Sequence, residues 1–207
     1  MSHGTDLITK TSSLDEELRL KLLEHPYFQA TGDAKSLFDL QDHFINETPD
    51  DYDKLVLELL KREQYDYGDS VIEYWFQKHT PGPGLRAHCD YNFIYRKKMQ
   101  LEGDDWPHIV NKDHIVSPIT IAVYLEMNDL IGGEIGISHR TWYEDPLPTS
   151  HLTLSNIKQH PYILYAPRQN SVIYFRGSEN YHWIEPIKQG SRKSMLINFW
   201  PKELLDK

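Results

Sequence analysis

His88-Cys89-Asp90 sets an imidazole and a carboxylate two positions apart. Side chains at i and i+2 of a strand share a face. Residues 85–91 have the composition of a strand, so His88 and Asp90 are expected to point together and Cys89 away. One ring nitrogen and one carboxylate oxygen on a shared rigid face make two thirds of a facial iron(II) site. The third ligand has to be another histidine brought in from elsewhere in the chain. Three protein ligands on one face leave three positions open for substrate and oxygen. His-X-Asp alone reads first as a surface ion pair, so its meaning depends on which of the eleven histidines accompanies it.

The elements that must position these groups change texture along the chain. The first third reads as helix and connector. Leu14, Leu18 and Leu22 recur at four-residue spacing, and Ser13 with Glu16 three residues on fits a capping box. Pro26 ends that helix. A second helix is expected over residues 50–63, with Leu55, Leu57, Leu59 and Leu60 as its apolar content and Pro49 and two acidic residues at its start. After Gly68, short runs rich in β-branched and aromatic residues take over. They cover residues 71–76, 85–91, 119–125, 133–138, 162–165, 171–175, 182–185 and 194–200, with Gly, Pro, Asn and Asp between them. Eight short strands with turn residues between them predict a closed or sandwiched antiparallel β architecture. No βαβ alternation is present, which argues against a Rossmann or TIM fold.

Two connections are long, at residues 92–117 and 140–159, and long loops in a compact domain are usually functional. Their aromatic residues Tyr91, Phe93, Tyr95, Trp106, Trp142 and Tyr143 suit the walls or lid of a site. Packing on the N-terminal helices is the other use for them. Arg96, Lys97 and Lys98 read as a solvated loop, and His108 and His114 as surface residues.

Composition narrows the function classes. A chain of 207 residues with 39% hydrophobic and 26% charged residues suits one ordinary globular domain. We read residues 1–68 as helical N-terminal support and 69–207 as the catalytic core. The formal charge of −9 argues against nucleic acid as a partner, because phosphate binding depends on Lys and Arg. Cys89 is the one cysteine, so no internal disulfide forms. With no apolar run near the ~20 residues that cross a bilayer and no signal-peptide core at residues 1–5, the expected location is cytoplasmic.

The C-terminal segment reads Ser171-Val172-Ile173-Tyr174-Phe175, then Tyr181-His182-Trp183, then Gly190-Ser191-Arg192-Lys193-Ser194. It resembles the distal motif of the prolyl 4-hydroxylase-like 2-oxoglutarate and iron(II)-dependent dioxygenases. In that family an apolar strand leads into a histidine, followed about ten residues later by Gly-X-Arg-X-Ser. The middle is similar too: 121–126 (IAVYLE) followed by Gly132-Gly133-Glu134-Ile135 resembles the family's strand–turn–Gly-Gly-Glu-Leu element. Thr80-Pro81-Gly82 ahead of His88 matches its Pro-Gly run. The resemblance covers residues 71–200, in the family's order.

The resemblance implies a mainly β fold, a double-stranded β-helix or jelly roll of the cupin-like kind, with the N-terminal helices flanking it. It implies Fe(II) held by His88, Asp90 and His182. Arg192 would pair bidentately with the distal carboxylate of 2-oxoglutarate, a task that suits a planar guanidinium. Tyr124 and Ser194 would add hydrogen bonds to the same group. The implied reaction hydroxylates a C–H bond with O2 and 2-oxoglutarate, releases succinate and CO2, and takes ascorbate as auxiliary reductant. No side chain beyond the metal ligands need act in catalysis. The substrate would be a prolyl or other amino-acid or peptide group, or alternatively a small metabolite.

Departures from the family pattern matter for the pocket. Many relatives carry a tyrosine nine residues before the first ligand, where this chain has His79. The usual aromatic after the Arg strand is displaced, which leaves Asn198 and Trp200 as alternatives for the inward position. Asp90 is present, whereas halogenating relatives lack this carboxylate. Three competing readings are a nucleic-acid demethylase, disfavoured by the charge, a catalytically silent metal-binding jelly-roll module, and a cupin-type protein that uses no 2-oxoglutarate.

Overall fold

The computed structural model describes residues 7–29, 43–45, 47–90, 119–141 and 153–202. In chain order these give β1 (Ile8–Ser13), α1 (Glu16–Leu23), α2 (Pro26–Gln29), β2 (His43–Phe44), α3 (Asp51–Arg62), β3 (Ser70–His79) and β4 (Leu85–His88). Then follow β5 (Thr120–Gly132), β6 (Ile135–Thr141), α4 (Leu154–Ile157), β7 (Tyr162–Tyr165), β8 (Ser171–Phe175), β9 (Asn180–Ile184) and β10 (Ile187–Pro201). The expected aromatic loop residues, Arg96 to Lys98, His108 and His114 all lie outside the described residues.

The strands form two antiparallel sheets, ordered β1-β8-β5-β10-β3-β2 and β4-β9-β6-β7. This is the sandwiched antiparallel architecture expected from the strand runs, and the jelly roll that the family resemblance implies. Period-2 alternation sorts side chains between its two faces. On the outer face of the larger sheet, Ile121, Val123, Leu125, Met195, Ile197 and Phe199 pack with Tyr74 and Phe76 against the helices. The alternate residues Ala122, Tyr124, Ile173 and Phe175 face the other sheet's Ile135 and Ile137. On β10 the inward set is Arg192, Ser194, Leu196, Asn198 and Trp200, far more polar than the outward set. A core that should be oil is thus polar along one strand, the first sign of a site.

Helix α3 matches expectation. Asp50 caps it by accepting from the Tyr52 and Asp53 amides, and the Asp53 carboxylate accepts from the Asp50 amide, a complete capping box. It buries Val56, Leu59 and Leu60 against the sheet, each contributing roughly 1.5–3 kcal/mol.

Two expectations at the N-terminus need correction. The box of Ser13 with Glu16 does not form. Ser13 pairs with Ser171 as the last residue of β1, which holds its backbone in the sheet, and Asp15 caps α1 by accepting from the Leu18 amide at 3.0 Å. Nor is the segment before Gly68 only helical support, since β1 and β2 form the two edges of the larger sheet. The polar run ITKTSS of β1 lacks the apolar alternation of a half-buried strand, and pairing with β8 decides its state. Among the described residues no helix is long and apolar enough to cross a membrane.

Candidate metal centre

β4 and β9 are antiparallel neighbours, with His88 directly opposite His182. Their neighbours Ala87, Cys89, Tyr181 and Trp183 turn outward into a small apolar cluster with Ile157 of α4. Alternation therefore sends both imidazoles inward, with ring centroids 4.3 Å apart. The Trp183 indole lies against Gly136, its cross-strand partner, where a Cβ would fall 2.0 Å from the ring.

Asp90 arrives by a different route from the one expected. β4 ends at His88, so strand alternation does not carry Asp90 inward. Instead its amide donates to the Gly177 carbonyl at 2.8 Å, which ties the chain to the turn between β8 and β9. The result is the same convergence. Asp90 Oδ1 lies 3.4 Å from His182 Nε2 and 3.7 Å from His88 Nε2. The ligand atoms of the three residues all fall within 4.8 Å of one another.

Each imidazole is oriented from behind. His88 Nδ1 is 2.8 Å from the Arg86 carbonyl, and His182 Nδ1 is 3.1 Å from the Asn180 carbonyl. A carbonyl only accepts, so Nδ1 carries a proton in both rings and each Nε2 is turned toward Asp90. This carbonyl-backed tautomer is the usual arrangement of histidines that bind metals. Desolvation and the adjacent His182 push the His88 pKa down to about 4. For Asp90, burial pushes the pKa upward, but His182, His88 and Thr120 together hold it at about 2. Burial pushes the His182 pKa downward, but Asp90 and the Asn180 carbonyl raise it overall, so a metal ion would displace a proton there to be held by two imidazole nitrogens and one carboxylate. That donor set fits a divalent first-row ion such as Fe(II).

Arg192 is 2% exposed and, among the described residues, has no carboxylate partner. Its Nη1 donates to the Gly133 carbonyl at 2.6 Å, its Nε to His79 Nδ1 at 3.4 Å, and its guanidinium carbon lies 5.6 Å from the Tyr124 ring centre. Register fixes the neighbours: Arg192 is opposite His79 on β3, and Ser194 is flanked by Gln77 on β3 and Tyr124 on β5. Trp75 Nε1, Gln77 Oε1, His79 Nε2 and Ser194 Oγ are all buried without a hydrogen-bond partner among the described residues. Native interiors leave few such groups, and these four share the inner face of two adjacent strands. Desolvation and the Arg192 charge lower the His79 pKa to about 3, so this imidazole is neutral. Burial raises Tyr124 to about 12, against the pull of Arg192.

Asn198 and Trp200 both face inward, with different partners. Asn198 contacts Thr120, which contacts Asp90, whereas the Trp200 indole donates to Glu73. Thr120, Gln77 and Trp75 escaped the sequence reading. Thr120 and Trp75 look like ordinary strand formers, and only the cross-strand register shows what they face.

No protein-family model matches the sequence, and no curated protein matches it. Solved structures do. A prolyl 4-hydroxylase from Pseudomonas putida is similar with a TM-score of 0.52 and 14% identity, over 93% of this chain and 86% of that one. A truncated viral collagen prolyl hydroxylase from Paramecium bursaria Chlorella virus-1 is similar with a TM-score of 0.50 and 13% identity, over 92% and 89% of the two chains. The chain therefore has the jelly-roll fold of the prolyl 4-hydroxylases.

Proposed function

We propose that the protein is a 2-oxoglutarate and Fe(II)-dependent oxygenase that hydroxylates a C–H bond. The observation that carries this reading is the pairing of two features: His88, Asp90 and His182 converge within 4.8 Å, and the buried Arg192 lacks a counter-ion among the described residues. A metal ligand set alone would suit many proteins. A buried cation with orphaned donors around it calls for an anion, because an uncompensated charge in the interior costs several kcal/mol. The distal carboxylate of 2-oxoglutarate answers that need.

In this reading His88, Asp90 and His182 hold Fe(II). When bound, the iron supplies the oxygen chemistry that couples conversion of 2-oxoglutarate and O2 into succinate and CO2 to substrate hydroxylation. The chain's own residues bind and orient. Arg192 takes the distal carboxylate with its planar fork, and Tyr124 and Ser194 offer hydroxyl donors to it. His79, neutral and with its Nδ1 accepting from Arg192, presents Nε2–H to the pocket. The polar inner face of β3 and β10 contributes the rest of the wall. A reducing cytosolic setting suits both a ferrous ion and the free, buried Cys89. The substrate class we favour is a prolyl or other peptide-borne residue, on the strength of the fold shared with two prolyl hydroxylases.

The protein loaded with Fe(II), ascorbate and 2-oxoglutarate is expected to form succinate slowly without a prime substrate. His182→Ala abolishes this, and Arg192→Ala raises the 2-oxoglutarate requirement, since a charge-assisted hydrogen bond contributes about 1.5–3 kcal/mol. Unchanged turnover in both variants rejects the assignment. Metal binding without any turnover supports the silent-module reading instead. Succinate release stimulated by prolyl peptides, compared with free amino acids and small metabolites, selects the substrate.

A further inference from the structure

The proposed metal centre uses one oxygen of Asp90, Oδ1, which faces the two histidines. The other oxygen is engaged elsewhere. Asp90 Oδ2 lies 2.7 Å from Thr120 Oγ1, and Thr120 Oγ1 lies 2.8 Å from the Asn198 side-chain amide at Oδ1. Thr120 and Asn198 are 0% and 2% exposed, so water does not compete for these bonds. A hydroxyl has one proton and cannot donate to both neighbours. The carboxylate, held ionised and able only to accept, takes it. Asn198 must then turn its NH2 toward the Thr120 oxygen, because the two amide orientations are isosteric and only the hydrogen-bond pattern separates them. The chain of bonds runs one way: Asn198 N–H to Thr120 oxygen, Thr120 O–H to Asp90 Oδ2.

The surroundings are shaped around these bonds. Gly177 accepts the Asp90 amide through its carbonyl at 2.8 Å. A Cβ at position 177 would fall 2.1 Å from Thr120 Oγ1 and 2.4 Å from Asp90 Oδ2. Any side chain there would occupy the space of the hydroxyl–carboxylate contact.

We propose that Thr120 and Asn198 are positioning residues that keep Asp90 a one-oxygen ligand by holding its second oxygen away from the metal. The proposal rests on the iron reading above. Its consequence is a matter of counting. A six-coordinate ion with three protein donors keeps three positions, enough for a chelating keto-acid and O2. A carboxylate free to swing and bind through both oxygens would take a fourth and leave no room for both. The Thr120 hydroxyl thus guards the open face of the centre without touching substrate.

The test uses the full chain with Co(II) as probe, titrated alone and then with 2-oxoglutarate, following affinity and the visible absorption of the ion. Thr120→Val removes the donor at nearly constant volume, and Thr120→Ser restores it. We expect Thr120→Val to bind Co(II) roughly 10–100-fold more weakly, as losing a partner behind a metal ligand typically does. Its Co(II) spectrum should shift and its 2-oxoglutarate response weaken. Thr120→Ser should recover both, and Asn198→Ala should change in the same direction as Thr120→Val by a smaller factor. A purely structural role would lower the melting temperature and leave the spectrum of the bound ion alone. Should Thr120→Val not fold, Asn198→Ala decides. Failure of the unaltered protein to bind Co(II) defeats the iron reading itself. Tight Co(II) binding with the same spectrum in the folded variants overturns the positioning role and leaves the iron reading intact.

Discussion

Arg192 and His79 sit opposite one another on the β10–β3 ladder, with the guanidinium Nε donating to the imidazole Nδ1 at 3.4 Å. The contact fixes the tautomer. Because Nδ1 accepts, the ring proton lies on Nε2, and that atom is buried without a partner among the described residues. A cation and a neutral N–H donor thus stand side by side in the interior, and both present donors to whatever fills the pocket.

An anion bound there should therefore stabilise the protein, and Arg192 should carry the effect. With a redox-inert divalent metal present, 2-oxoglutarate at about 100 times its Kd is expected to add about 2.7 kcal/mol of stability. Arg192→Met should lose this response. Without ligand the variant should be as stable as the parent or more so, by roughly 1–4 kcal/mol, since apolar replacement of a buried charge is often favourable. Thermal unfolding with and without 2-oxoglutarate measures both effects. A variant that still responds fully to the ligand would remove Arg192 from the pocket.

His79 should make the metal-free protein acid-sensitive. Its folded pKa of about 3 lies below the ordinary 6.5, so between those values the unfolded chain binds a proton that the native protein refuses. Stability is full above pH 6.5 and falls as the pH drops toward 3. At pH 5 the loss from this one group is about 2 kcal/mol. His79→Asn should flatten the stability curve between pH 7 and pH 5 by that amount, read by urea unfolding. An unchanged slope would mean that another group dominates.

Two glycines separate stability from metal binding. A Cβ on Gly136 would strike the buried Trp183 ring, and one on Gly177 would strike Thr120 and Asp90. Each alanine variant should lose about 1–3 kcal/mol or more through overpacking. Gly177→Ala should also weaken Co(II) binding, while Gly136→Ala should leave it near the parent value. Isothermal titration alongside denaturant melts distinguishes the two.

The cap of α3 should matter to the whole fold, because that helix covers the outer face of the larger sheet. Asp50→Ala removes the acceptor for the Tyr52 and Asp53 amides and is expected to cost about 1 kcal/mol. Metal affinity should not change. Equilibrium urea unfolding reads the first, Co(II) titration the second.

Elements with a local cause are legible in the order of residues alone. Pro49 and the acidic residues at the start of α3, the eight apolar runs and the turn residues between them all act within a few positions, so α3 and strands β3 to β10 can be read in one dimension. The candidate ligands His88, Asp90 and His182 and the candidate anchor Arg192 can be named from the sequence too, through spacing that resembles a known arrangement. What depends on pairing across long separations emerges only on folding. β1 is a strand because β8 lies beside it, and that same pairing moves the α1 cap from Ser13 to Asp15. Asp90 turns inward through Gly177, 87 residues further along the chain, and not through strand alternation. Thr120 and Asn198 meet only because β5 and β10 are neighbours in the sheet. A hydrogen bond needs two groups within about 3 Å, and for residues this far apart in the chain only the fold sets that distance.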